Sequence, residues 1–243
     1  MLDPANPDRP IAGAIALVTG ASRGIGLAIA RKLGQMGVRV AICARDAAKL
    51  STAVESLQRE GIETLGITAD VRRPEEINSL LQETRSKFGP LDILVNNAGV
   101  GRFGPFLEFD ETDWDDILDT NLKGVFLLIR AVAPEMIRRR TGHIINIASL
   151  AGKNAFAGGA VYCASKWGLL GLTYCMAEDL RAHGIRVSAV CPGSVATEFS
   201  PHPGMDSSKM LQPEDVAHAV AALVTQEPQS FISEILLRPT QKP

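Results

Sequence analysis

No apolar stretch of the chain runs far enough without a charge to span a bilayer, which argues against a membrane-embedded protein. The opening MLDPANPDRPIA lacks the basic-then-apolar order of a secretory signal. It reads instead as a flexible arm, residues 1–12, ahead of one domain over 13–243. Net charge is missing too: 25 Lys and Arg against 27 Asp and Glu leave −2. That balance gives no electrostatic reason to expect nucleic acid or an anionic membrane as a partner. Cysteine is sparse. The four present, Cys43, Cys163, Cys175 and Cys191, show no C-x-x-C spacing, and two fall in expected strands. They read as free thiols in a reducing, cytoplasmic setting. The four histidines form no ligand-spaced cluster, so no metal site is expected.

What the chain has in quantity is apolar residues, 46% of 243, enough for one substantial core. They fall into short runs at 14–19, 38–44, 63–69, 91–95, 143–148, 186–191 and 233–237. Between the runs lie helical patterns after Gly24, over 47–59, 74–88 and 113–140, from Tyr162 onward, and over 213–225. Pro134 is expected to kink the long fourth pattern. Neither an internal repeat nor a linker-like change of composition interrupts the alternation. The fold class is therefore α/β, a doubly wound parallel sheet of about seven strands with helices on both faces.

The first run passes at once into Gly20-Ala21-Ser22-Arg23-Gly24-Ile25-Gly26 and then a helix. Strand, glycine-rich turn and helix is the Rossmann-type context of a pyrophosphate site: glycines admit the ligand closely, and the helix start offers free N–H groups. The spacing is not G-x-G-x-x-G, and a plain tight turn is the alternative. The second strand ends at Ala44-Arg45. Arg45 and Arg23 converging there favour a 2′-phosphate, hence NADP(H) over NAD. A shift of two residues would place Asp46 at the ribose and reverse that preference, and a solvated loop cation is the bland reading of Arg45. Asp70, ending the third strand, offers a carboxylate to an adenine amino group. Asn96-Asn97-Ala98-Gly99 ends the fourth, at the crevice or merely as a turn. Asn121, among apolar residues, either braces the structure or holds a water. The polar segment 194–212, with Gly204, is a candidate lid.

Tyr162 and Lys166 are four apart and share one helical face. A phenol titrates near pH 10, too high for easy acid–base work. An adjacent ammonium stabilises the phenolate and is expected to lower that value. A surface Tyr and Lys that happen to be neighbours is the competing reading.

Thr19 to Gly26, Asn96-Asn-Ala-Gly99, Asn121, Ser149, Tyr162-x-x-x-Lys166 and Pro192-Gly193 occur in an order and spacing that resembles the short-chain dehydrogenases/reductases, over roughly residues 12–240. The resemblance implies a hydride-transferring oxidoreductase. By it, Gly20, Ser22, Arg23, Gly24, Ile25 and Gly26 form the pyrophosphate loop. Asp70 and Val71 contact adenine, and Asn97, Ala98 and Gly99 lie near the ribose. Pro192, Gly193, Val195 and Thr197 orient the carboxamide. Ser149 holds the substrate oxygen, and Tyr162 passes it a proton. Lys166 tunes the tyrosine and bonds the ribose, with Asn121 linking Lys166 to solvent through a water. The implied substrate is a small carbonyl or alcohol, in the manner of 3-oxoacyl-acyl-carrier-protein reductases, whose acyl-carrier partner would dock on Arg138, Arg139 and Arg140. Those three arginines also suit a helix C-terminus on their own account. The last strand, Ser-Glu-Ile-Leu-Leu-Arg-Pro-Thr, departs from the Val-Asp-Gly-Gly type of many such reductases. A homotetramer, or failing that a dimer, is implied, with Phe126, Leu127, Leu170 and Leu172 at its interface or in the core. A catalytically silent NADP-binding regulator is the alternative function.

Overall fold

The computed structural model describes residues 11–199, 206–227 and 229–241. Among them, seven strands make one sheet: β1 (Ile15–Thr19), β2 (Arg39–Ala44), β3 (Thr64–Thr68), β4 (Ile93–Asn96), β5 (Gly142–Ile147), β6 (Ile185–Pro192) and β7 (Glu234–Leu237). Their spatial order is β3-β2-β1-β4-β5-β6-β7, and every pairing is parallel. The helices are α1 (Gly24–Gln35), α2 (Ala47–Arg59), α3 (Pro74–Phe88), α4 (Glu111–Leu118), α5 (Gly124–Arg139), α6 (Ala160–Arg181) and α7 (Pro213–Val224).

Both faces of the sheet are covered over its central strands, which is why β1, β2 and β4 read as mainly apolar runs. Ala16, Val18, Val40 and Ile42 face one core, filled by Ile29 and Leu33 of α1 and by Val216 and Val220 of α7. Leu17, Ala41, Leu94 and Ile144 face the other, with Ile77 and Leu80 of α3, Leu128 and Ile129 of α5, and Leu169 of α6. Strand order changes direction between β1 and β4, so the loops leaving their C-terminal ends part and open a crevice.

Two expectations change here. The helical stretch 113–140 is interrupted by a π turn at Asp119–Lys123, and α5 runs on through the exposed Pro134. A proline on the solvent side costs one backbone bond without disturbing the core, whereas the π turn carries Asn121 inward. Ile11, assigned to the arm, is 1% exposed and belongs to the α1/α7 core, while residues 1–10 lie outside the described residues. The ends of the candidate lid meet through an isolated Val195–Leu211 bridge, the Ala196 N–H donating to the Leu211 carbonyl at 2.8 Å. Its middle, 200–205 with Gly204, lies outside the described residues. All four cysteines are free thiols, with Cys43, Cys163 and Cys191 buried. Among the described residues, no helix is long and apolar enough to cross a membrane.

Candidate active site

The glycine loop is clamped to the loop after β4. Thr19, buried at the end of β1, accepts the N–H groups of Asn97 and Ala98 on its hydroxyl, both at 3.0 Å. The Asn97 amide in return donates to the carbonyls of Thr19 (2.9 Å) and Gly20 (3.1 Å). Gly20 has φ +64°, and a Cβ there would stand 2.7 Å from the Ala98 Cα, so a side chain is excluded by both conformation and space. Beyond the loop, α1 begins without a side-chain cap and with no acidic residue in its first turn. α2 and α4, by contrast, each have a side chain accepting from an N-terminal amide, Asp46 from Lys49 and Asp110 from Asp113. The unoccupied N–H groups of α1 suit an anion such as a pyrophosphate.

At the far end of the crevice, Asp46 is committed to capping α2, accepting from the Lys49 N–H at 3.0 Å. Arg45 is exposed at the tip of β2, close enough to Asp70 at the tip of β3 for its charge to act there. Asp70 is paired beside the crevice. Its carboxylate is gripped by Arg72, whose Nε lies 3.0 and 2.9 Å from the two oxygens, while Arg72 also pairs with Asp116. Burial raises the Asp70 carboxyl, but the Arg72 hydrogen bonds and charge, aided by Arg45, outweigh it and hold it below the usual carboxylate range.

Asn121 is fully buried and braces: its Oδ1 accepts the Val100 N–H at 2.8 Å, and its Nδ2 donates to the Val100 carbonyl (2.9 Å) and to Ser165 Oγ (3.0 Å). Ser165 donates on to the Tyr162 carbonyl at 2.7 Å, so the π turn, the loop after β4 and the start of α6 are bonded together. Lys166 is 5% exposed, and its ammonium donates to the Ile147 carbonyl at the end of β5 at 3.0 Å. The same Nζ lies 5.8 Å from the centre of the Tyr162 ring. Ser149, just past β5, accepts the Ala151 N–H on its hydroxyl at 3.0 Å.

The expected lowering of the tyrosine is not what burial gives. Burial pushes the Tyr162 phenol up to about 12, the Ser149 hydroxyl offsetting part of this. Burial also takes Lys166 down to about 8. An anionic ring enclosed by apolar neighbours loses more hydration than a cation at this distance restores. Near neutrality the phenol therefore keeps its proton, the state a proton donor needs.

A cleft of about 1400 Å³ joins these parts. Its walls include Gly20, Arg23, Gly24, Ile25, Asn97, Gly99, Ser149, Tyr162, Lys166, Pro192, Gly193, Val195 and Thr197 from among the expected residues. Ser22, Gly26, Arg45, Asp70, Val71, Ala98 and Asn121 are not part of its lining. Gly26 supports it from behind, where a Cβ would lie 2.5 Å from the Asn97 amide nitrogen. Sequence reasoning missed Phe103, Phe156 and Phe199 in the wall, and Arg238 to Gln241 at the rim. It also missed Glu198, which pairs with Arg23 across the mouth of the cleft. No local pattern marks such residues. The volume exceeds that of an ordinary small-ligand pocket and leaves room for an extended cofactor beside a substrate.

Comparison with known proteins agrees with this geometry. The family model described as short chain dehydrogenase matches residues 14–205. A 3-oxoacyl-[acyl-carrier-protein] reductase FabG from Staphylococcus epidermidis is 43% identical over 186 residues, 76% of each chain. A putative ketoacyl reductase from Streptomyces coelicolor is 41% identical over 233 residues, covering 86% of this chain and 89% of that one. Among solved structures, a metagenomic short-chain oxidoreductase in complex with NADP superposes with a TM-score of 0.84 at 47% identity, over 96% of this chain and 99% of the other. With the family model matched across most of its sheet, the chain belongs to the short-chain dehydrogenase family.

Proposed function

We propose that the protein is an NADPH-dependent oxidoreductase that reduces a ketone or 3-oxoacyl thioester, with Tyr162 as the general acid. The observation that carries this reading is the placement of Ser149, Tyr162 and Lys166 in the same cleft as the glycine loop. The residues present fit the cofactor. Uncapped amides of α1 would hold the pyrophosphate, Arg23 and Arg45 the 2′-phosphate, and Lys166 the ribose hydroxyls. NADPH, when bound, supplies the hydride. Ser149 orients the carbonyl oxygen by hydrogen bonding, and Tyr162 gives up its phenolic proton to that oxygen as negative charge develops. Lys166, fixed by the Ile147 carbonyl, keeps a positive charge beside the ring to favour that transfer. Asn121 holds the start of α6 in register with the loop after β4, a positioning role.

The whole chain from residue 13 acts in this reading as one catalytic domain, in the cytoplasm. A homotetramer, with a dimer next, is supported by an apolar depression lined by Leu118, Leu122, Phe126 and Leu172. Leu170 is a core residue at 3% exposed, so it is not part of that face. Docking of an acyl carrier protein has less support. Arg138 and Arg140 are exposed, but Arg139 turns in to the Leu91 carbonyl (2.7 Å) and Asp92 (3.1 Å). The test is NADPH oxidation with acetoacetyl thioester and simple ketones, with NADH as control. Turnover favouring NADPH is expected; tight NADPH binding without oxidation of any carbonyl would establish the silent regulator instead.

A further inference from the structure

Three phenylalanines from three different loops form a chain of ring contacts with Tyr162: Phe103 and Phe199 directly, Phe156 through Phe103. Phe103 stands edge-on to the tyrosine ring, 5.3 Å between centres at 68°. Phe199 lies 5.9 Å from it at 54°, and Phe156 lies 6.0 Å from Phe103. They come from the segments following β4, β5 and β6, and all three line the cleft beside Ser149. Phe156 and Phe199 remain 48% and 40% exposed, so their rings are not consumed by the core.

The rings are seated by glycines. A Cβ on Gly101 would come within 2.9 Å of Phe199 and 3.0 Å of Phe103, and one on Gly159 within 2.5 Å of Phe156. The first two loops are tied together by the Gly104 N–H donating to the Gly158 carbonyl at 3.0 Å. Any larger residue at 101 or 159 would displace a ring. An aliphatic wall would serve a flexible acyl chain equally well. Rings at these tilts offer edges and faces to another ring, an interaction beyond simple area burial.

Resting on the reductase reading above, we infer that Phe103, Phe156 and Phe199 are specificity-determining residues that select carbonyl substrates bearing a planar aromatic ring. The test compares benzylacetone with its cyclohexyl analogue. A saturated linker isolates the carbonyl from the ring in both, so their intrinsic reactivity is matched. The native protein is expected to favour the phenyl ketone in kcat/KM by several-fold to about tenfold, the range one aromatic contact supplies. Phe199→Leu and Phe156→Leu, which keep apolar bulk but remove the ring, should bring the ratio toward unity, while Phe199→Tyr should preserve it. General damage would lower both substrates alike and leave the ratio in place. Turnover of thioester or ketones with no phenyl preference in the native protein, or a ratio unmoved by both leucine variants, overturns the inference while leaving the reductase reading intact. NADPH oxidation by no carbonyl at all overturns both.

Discussion

Asn121→Leu removes one buried amide and leaves two backbone groups of Val100, its N–H and its carbonyl, without their partners. Ser165 keeps its bond to the Tyr162 carbonyl and loses only one of two. Each stranded backbone group costs about 1–3 kcal/mol when water cannot reach it. Val100 is only partly buried, so a total of about 2–4 kcal/mol is expected for the pair. Leucine keeps the branched outline of asparagine with greater bulk, so no cavity confuses the comparison. Urea unfolding followed by far-UV circular dichroism measures the loss, and NADPH oxidation measures its consequence. The π turn would no longer be bonded to the start of α6, so kcat should fall by more than substrate KM rises. A loss of stability below about 1 kcal/mol with unchanged kcat would refute the bracing role.

Three further perturbations follow from the same geometry. Glu198→Gln frees Arg23 from its ion pair at the mouth of the cleft; exposed pairs are worth about 0–1 kcal/mol, so KM for NADPH should fall by up to about fivefold, and a rise would contradict the competition. Gly20→Ala forces a side chain against the Ala98 backbone, so NADPH titration by fluorescence should show binding lost or greatly weakened, and native affinity would contradict the clamp. His143 is fully buried in β5, bonded at Nε2 to Ser188 at 2.9 Å, and burial, aided by the Arg186 charge, lowers its pKa to about 3. Because the folded value lies below the ordinary 6.5, its stabilising contribution is complete above pH 6.5 and is lost as pH falls toward 3. At pH 5 the loss is about 2 kcal/mol, read as a lower urea midpoint than at pH 7, and a midpoint that does not move would contradict it.

The sheet was legible because a strand buried on both faces has no polar alternation to obscure it: 38–44 and 143–148 read as strands from composition alone, and β2 and β5 match them closely. The glycine loop and the Tyr162–Lys166 pair were legible for a related reason, since each is set by local spacing. What escaped depends on residues far apart in the chain. The π turn at Asn121 follows from what the amide meets, Val100 and Ser165, which lie 21 and 44 residues away. Asp46 and Arg45 are adjacent, and that Asp46 caps α2 is seen only in the structure. The tyrosine's raised pKa comes from burial among segments far apart in the chain, while a heuristic of neighbouring charge predicted the opposite sign.

The most direct test of the account is Tyr162→Phe, followed by NADPH absorbance with the best ketone or thioester substrate and, separately, by NADPH binding. Loss of a positioned general acid lowers turnover by about 100- to 10,000-fold. The account predicts a fall in that range with cofactor affinity retained. Turnover within about twofold of the unaltered protein would show that the proton comes from elsewhere.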